Sequence, residues 1–181
     1  MKDSVRKDLL RKLSALSLED NARLSFDLTN QIIKFFNSNP ELTGLVGAGY
    51  LPLRDEVAPM YQELFRHVPV HLSYPVLVES EMAFAIPEGL PKGATWMEPP
   101  YHLVEPKWFL VPGIGFDLSG ARLGRGKGYY DRYLFESDGL RIGLAWTEQI
   151  VDKVPVEGHD CHMDFIITEK FCWDVDLQKR F

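Results

Sequence analysis

Apolar residues return at helical spacing from the start of the chain. Val5, Leu9, Leu13 and Leu16 recur every three or four positions, and Leu24, Leu28, Ile32 and Phe35 resume the rhythm after a polar break. That break is Ser17-Leu18-Glu19-Asp20. A serine there can cap the amides of a new helix, and two carboxylates suit its positive first turn. Asn37-Ser38-Asn39-Pro40 stops the second stripe. The pattern predicts two helices within the first 36 residues.

The rhythm then shortens. Residues 45–51 form an apolar run with two glycines, which reads as a buried strand. Val57, Met60, Tyr61 and Leu64 suit a helix, and residues 68–72, 76–78 and 82–86 are candidate strands. Pro87, Pro91, Pro99, Pro100 and Pro106 make residues 87–106 a loop by expectation. Residues 108–111 are apolar throughout and predict a buried strand. After a glycine-rich segment, a helix is predicted through Tyr130, Tyr133 and Leu134, with further strands at 140–145 and 163–168. Such alternation predicts the α/β class: a mostly parallel, Rossmann-like open sheet with helices on both faces, behind an N-terminal helical pair. No repeat or long linker divides the chain, so residues 1–181 are expected to form a single domain.

Composition narrows the picture. Of 181 residues, 45% are hydrophobic and 25% charged, which excludes intrinsic disorder. A chain of this size can bury about 70% of its unfolded surface and needs no disulfide or metal staple. Cys161 and Cys172 are too few for a disulfide framework and point to a reducing, cytoplasmic setting. No run approaches the ~18–20 apolar residues of a membrane helix, and the first residues lack the apolar core of a signal peptide. A net charge of −6 argues against a general nucleic-acid surface. The expected partners are small molecules, with no nucleic acid and no membrane, and the expected state is a monomer.

One segment departs from that acidic balance. Residues 111–132 leave an apolar strand, pass six glycines and enter a helical pattern. Within residues 120–132, Arg122, Arg125, Lys127 and Arg132 face only Asp131, a local charge of +3. Glycines beyond the carboxyl end of a strand let backbone N–H groups approach phosphate, and a following helix N-terminus favours negative charge. The segment therefore reads as a phosphate-binding loop. It is not a P-loop, because Ala121 and Gly128 stand where that motif needs glycine and Ser or Thr. Nor is it the dinucleotide fingerprint, because Leu118 stands where a third glycine is required. His159-Asp160-Cys161-His162 lacks structural-zinc spacing, and no Gly-x-Ser-x-Gly elbow supports a serine hydrolase.

The run Gly120-Ala121-Arg122-Leu123-Gly124-Arg125-Gly126-Lys127-Gly128-Tyr129-Tyr130-Asp131 lies behind Val111-Pro112-Gly113 and Phe116-Asp117. It resembles the signature of the 5-formyltetrahydrofolate cyclo-ligase family, also called methenyltetrahydrofolate synthetases. Other landmarks follow the family's order: Lys7 to Arg11, Tyr50-Leu51-Pro52 with Glu56, Glu98-Pro99, Gln149, Pro155, His159-Asp160 and residues 166–169. Lys107, Gly115 and Ser73-Tyr74-Pro75 depart from the usual pattern, without touching the signature.

The resemblance implies an ATP-dependent ligase that converts 5-formyltetrahydrofolate to 5,10-methenyltetrahydrofolate with release of ADP and phosphate. It implies ATP contacts at Lys7, Arg11, Arg122, Leu123, Gly124, Arg125, Gly126, Lys127, Gly128, Tyr129 and Tyr130. The same resemblance gives catalytic roles to Arg125, Lys127 and Tyr129, although many family members have glycine at the Lys127 position. It implies folate contacts at Leu51 and Glu56 and at Arg125 through Tyr129, with Leu51, Met82 and Phe84 as apolar wall. Asp131 and Asp160 match the family's Mg²⁺-associated carboxylates. A binding module without turnover and a phosphate-loop RNA binder are the rival readings. The first would bind ligand without releasing ADP, and the second would bind RNA in a salt-sensitive way.

Overall fold

The computed structural model describes residues 2–87, 100–156 and 160–180. Helices α1 (Lys2–Ser14) and α2 (Leu18–Ser38) open the chain. The Ser17 hydroxyl accepts from the Asp20 amide at 3.0 Å, so the expected cap forms. Asn39 closes α2, donating its amide to the Phe36 carbonyl and its side chain to the Phe35 carbonyl.

The remaining strands are β1 (Val46–Ala48), β2 (His71–Val78), β3 (Glu81–Pro87), β4 (Tyr101–Val104), β5 (Trp108–Pro112), β6 (Gly115–Phe116), β7 (Arg122–Leu123), β8 (Leu140–Leu144), β9 (Phe165–Ile167), β10 (Cys172–Asp174) and β11 (Lys179–Arg180). Helix α3 (Tyr61–His67) precedes β2, and α4 (Tyr129–Phe135) precedes β8. Among the described residues, nine strands form one sheet in the order β11-β10-β9-β8-β5-β1-β2-β3-β4, and β6 pairs with β7 as a separate hairpin. The five strands from β9 to β2 are parallel. The two outer strands on each side are antiparallel.

The α/β class and the parallel centre agree with the sequence, while several boundaries need correction. The separate strands expected at 68–72 and 76–78 are one strand, β2, which runs through Pro75. β1 pairs with β2 only as far as Ser73, so the missing Pro75 N–H costs no ladder bond with β1. The proline-rich stretch read as loop contains β4, which pairs with β3. The helix suggested from Val57 begins at Tyr61.

Alternation in the central strands serves two apolar layers. Trp108, Leu110, Ile142, Leu144 and Ile167 pack with Leu28, Ile32 and Phe36 of α2 and Leu64 of α3. Phe109, Val111 and Ile166 face the other way, against Leu134 of α4. Trp108 stacks at a tilt on Phe36, 4.7 Å between centroids. Its indole lies over Gly47, where a Cβ would come within 2.2 Å of the ring, so only glycine admits it. Leu9 of α1 packs instead with Ile114, Ala121 and Leu123, placing α1 over the β6–β7 hairpin. Among the described residues, no helix is long and apolar enough to cross a membrane.

The connections diverge at the centre of the sheet. From β1 the chain passes to β2 on one side, and from β5 it passes to β8 on the other. A crevice opens between such strands at their carboxyl ends, where open α/β sheets bind ligands.

Candidate active site

A cavity of about 310 Å³ occupies that crevice. Tyr50 and Leu51 enter it just beyond β1, and Pro112 and Gly113 where β5 ends. Pro75 of β2 supplies another apolar wall. The loop from Gly124 to Gly128 and the first turn of α4, Tyr129 to Asp131, complete it. The loop bends through positive φ at Gly126 (+92°) and Gly128 (+68°), a region that side-chain-bearing residues avoid.

Arg122 forms the floor. Its side chain is 5% exposed. Nη1 donates to the Pro112 carbonyl at 3.1 Å, and Nη2 to Asp131 Oδ1 at 2.9 Å. Its guanidinium carbon also lies 5.5 Å from the Tyr130 ring centroid. The hairpin behind it is held by Asp117, which is buried. Asp117 Oδ1 accepts from the Ser119 amide and hydroxyl, and Oδ2 from the Val154 amide at 2.7 Å. These bonds make Arg122 a fixed group that orients Asp131.

Arg125 stands at the rim. Its Nε donates to Glu56 Oε1 at 2.9 Å, and its Nη2 pairs with Asp55. The other Glu56 oxygen accepts from the Leu53 amide at 2.9 Å. Burial alone would favour deprotonation of Arg125, but the Asp55 and Glu56 carboxylates outweigh it and raise the guanidinium pKa. Arg132 donates to the Lys127 carbonyl, reaches Glu81 at 3.5 Å and lies 5.3 Å from the centre of the Tyr129 ring. Carboxylates from remote segments thus balance much of the local +3 charge read from the sequence.

The structure brings most of the expected residues together. Leu51, Glu56, Arg122, Gly124, Arg125, Gly126, Lys127, Gly128, Tyr129, Tyr130 and Asp131 all line the cavity. Leu123 does not: it is buried with Leu9 and Val154. Lys7 and Arg11 are exposed and lie outside the cavity lining, and Arg11 pairs with Asp8 at 3.6 Å. Their neighbour Arg6 reaches the loop instead, donating from Nε to the Gly124 carbonyl at 3.0 Å. Phe84 is core, edge-on to Phe109 and Tyr133. Met82 borders a separate depression beside Tyr129. Asp160 accepts from Lys2 Nζ at 2.8 Å, and the adjacent Cys161 thiol contacts the Asp131 carbonyl at 3.5 Å. Glu98, Pro99 and His159 lie outside the described residues.

Arg6, Asp55 and Leu53 carry no mark in the sequence reading, while Tyr50 and Pro75 stand there only within the family landmarks and departures and not as site residues. A signal for Arg6 existed. Lys2, Arg6, Leu9 and Leu13 fall on one helical stripe, and Leu9 and Leu13 are the buried residues of α1. Cations on that stripe must point into the protein, whereas Lys7 and Arg11 turn away.

A family model described as the 5-formyltetrahydrofolate cyclo-ligase family matches residues 77–169. A mouse protein named 5-formyltetrahydrofolate cyclo-ligase is 29% identical over 93% of each chain. A solved 5,10-methenyltetrahydrofolate synthetase from Mycoplasma pneumoniae superposes with a TM-score of 0.76 at 27% identity, covering 93% of this chain and 98% of that one. The Aquifex aeolicus synthetase superposes with a TM-score of 0.77 at 33% identity, covering 96% of this chain and 92% of that one.

Tyrosines of the cavity wall and of the core behind it carry a pH signature. Burial raises the pKa of the Tyr50, Tyr61 and Tyr130 hydroxyls well above a free phenol and that of Tyr74 to about 12. Tyr50 donates to the Val57 carbonyl at 2.6 Å and Tyr61 to the Tyr50 carbonyl at 2.9 Å, bonds that need the protonated form. A folded-state pKa raised above the unfolded value of about 10 gives stability that is complete below it and lost as pH rises. Urea titrations are expected to show no loss from these tyrosines between about pH 7 and 9, and a falling midpoint above about pH 10 as tyrosinate absorbance grows. A midpoint independent of pH through that upper range would contradict the burial of these hydroxyls.

Proposed function

The chain belongs to the 5-formyltetrahydrofolate cyclo-ligase family, and on that premise we propose how the residues around its central cavity perform the family's reaction. The enzyme converts 5-formyltetrahydrofolate and ATP to 5,10-methenyltetrahydrofolate, ADP and phosphate. The formamide oxygen is a poor leaving group, so closure by the N10 amine is slow unless that oxygen is activated. It takes the γ-phosphoryl group, with ADP leaving. N10 then attacks the formyl carbon and loses its proton, and the oxygen departs as phosphate. Phosphoryl transfer asks a protein chiefly for positioning and charge stabilisation.

The observation that carries the assignment is the juxtaposition of the glycine loop and Glu56 across one cavity at the sheet's switch point. Backbone amides between Gly124 and Gly128, with Arg125 and Lys127, receive the phosphates of ATP. Arg125 and Lys127 offset charge in the transition state. Glu56 accepts N–H bonds from the pterin, Leu51 packs on its ring, and Tyr129 contacts the folate near its formyl group. Lys7 and Arg11, exposed on α1, meet ATP only through movement of that helix or of the nucleotide's outer part. Arg122 acts from beneath by orienting Asp131.

Mg²⁺ fits Asp131. Its carboxylate is a hard oxygen donor on the cavity wall, the donor type Mg²⁺ takes alongside phosphate and water. Asp160, held by Lys2 on the segment that touches the Asp131 backbone, is the second carboxylate of the proposal. Among the described residues, no three metal-ligating side chains gather, so phosphate oxygens and water would complete the coordination. When bound, Mg²⁺ supplies charge neutralisation on the transferring phosphoryl group. The proposal is of one domain over residues 1–181, a cytoplasmic monomer acting on small molecules without nucleic acid or membrane. The net charge of −6 and the paired loop cations support the part that excludes a nucleic-acid surface.

In a direct assay, purified protein with 5-formyltetrahydrofolate and MgATP is expected to develop the near-ultraviolet band of the conjugated methenyl bridge. Omitting ATP should abolish it. Arg125→Ala should lower kcat/KM by about 100-fold or more. Its melting temperature should barely move, because exposed ion pairs contribute only about 0–1 kcal/mol. An equal fall in activity and stability would make Arg125 structural. Asp131→Asn is expected to raise the Mg²⁺ concentration for half-maximal rate, and an unshifted Mg²⁺ titration would remove Asp131 from the metal site.

A further inference from the structure

Asp55 and Glu56 both hold Arg125, but their places differ. Glu56 and Arg125 line the cavity, whereas Asp55 does not. Asp55 therefore meets Arg125 from outside, at the Nη2 end of the guanidinium edge whose Nε serves Glu56. Both carboxylates sit on the turn after β1, closed by the Glu56 amide on the Leu53 carbonyl at 3.0 Å. They reach Arg125 across 69 and 70 residues of chain. The two Glu56 oxygens are already engaged, one by Arg125 and one by the Leu53 amide.

We propose that Asp55 is a positioning residue that parks Arg125 on Glu56 in the free enzyme and so couples the binding of the two substrates. The inference rests on the proposed phosphate role of Arg125. A guanidinium presents its Nε and Nη2 N–H groups as one fork, and that fork matches a carboxylate or a phosphate, but not both at once. ATP phosphates must draw Arg125 from Asp55 and Glu56 before they gain its bidentate contact. Release of Arg125 leaves Glu56 with an unpaired oxygen, which the N–H donors of the pterin can satisfy. Each substrate thereby favours the other, and the occupied fork disfavours either alone. Linkage requires this coupling to be reciprocal.

The test is calorimetric titration of MgATP into folate-free enzyme, using wild type, Asp55→Asn, Arg125→Ala and the double variant. Asp55→Asn removes one anchor of the fork and should tighten MgATP by about fivefold or more. In the Arg125→Ala background the same change should have no effect, since Asp55 acts through that guanidinium. The gain in Asp55→Asn should also shrink when 5-formyltetrahydrofolate is already bound. Unchanged or weaker MgATP binding in Asp55→Asn overturns the inference. Equal tightening in both backgrounds overturns it too, because Asp55 would then act only as a nearby negative charge. Arg125→Ala binding MgATP as tightly as wild type is a separate failure, that of the phosphate-site reading itself. A merely structural Asp55 would lower stability without tightening any ligand.

Discussion

The guanidinium of Arg122 joins three parts of the chain at one point: the end of β5 through the Pro112 carbonyl, the hairpin strand β7 to which it belongs, and the first turn of α4 through Asp131. With its side chain only 5% exposed, this pair is shielded from solvent and from salt. Losing one partner of such a pair leaves an uncompensated charge, a cost of about 3–5 kcal/mol when both members are deeply buried. Asp131 is 19% exposed, so the figure is an upper bound here. The glycine loop depends on this tie, because it spans the five residues between Leu123, fixed in the core, and α4. Gly124 leaves room for the guanidinium, since a Cβ there would lie 3.1 Å from Nη1.

Above that floor, charge is distributed by partnership rather than by sequence neighbourhood. Arg122 takes Asp131, Arg125 takes Asp55 and Glu56, and Arg132 reaches Glu81. The cluster of cations that marks the segment in the sequence is therefore largely balanced in the fold. A balanced cation remains useful to an anionic substrate if its carboxylates can be exchanged for phosphates. The same exchange frees a carboxylate for the donors of the second substrate. Arg6 adds a further constraint by tying α1 to the Gly124 carbonyl, so movement of the N-terminal helix is mechanically linked to the loop.

Much of this architecture is legible in the sequence for identifiable reasons. Ser17 and the Asn39-Pro40 pair carry the limits of α2 in their own chemistry, and the short unbroken apolar run at Trp108 suits a strand buried on both faces. The loop is legible because cations interleaved with glycines have no use on a helix face. The missed features depend on distant partners. Pro75 disguises β2, and only the early end of β1 makes a proline tolerable there. β4 lies in a proline-rich stretch and exists because β3 offers it an edge. Arg6 is a different case: the local stripe through Leu9 and Leu13 sets the rotation of α1 and turns Arg6 rather than Lys7 to the loop. No local pattern could join Arg125 to Asp55, 70 residues earlier.

The central claim is that the loop from Gly124 to Gly128 receives the ATP phosphates above the Arg122–Asp131 floor. A crystal structure of the protein with Mg²⁺ and a non-hydrolysable ATP analogue tests it most directly. The account predicts triphosphate density against the loop amides, Arg125 turned from Asp55 onto phosphate, and Arg122 still bonded to Asp131. Phosphates seated elsewhere, with Arg125 still on Asp55 and Glu56, would contradict it.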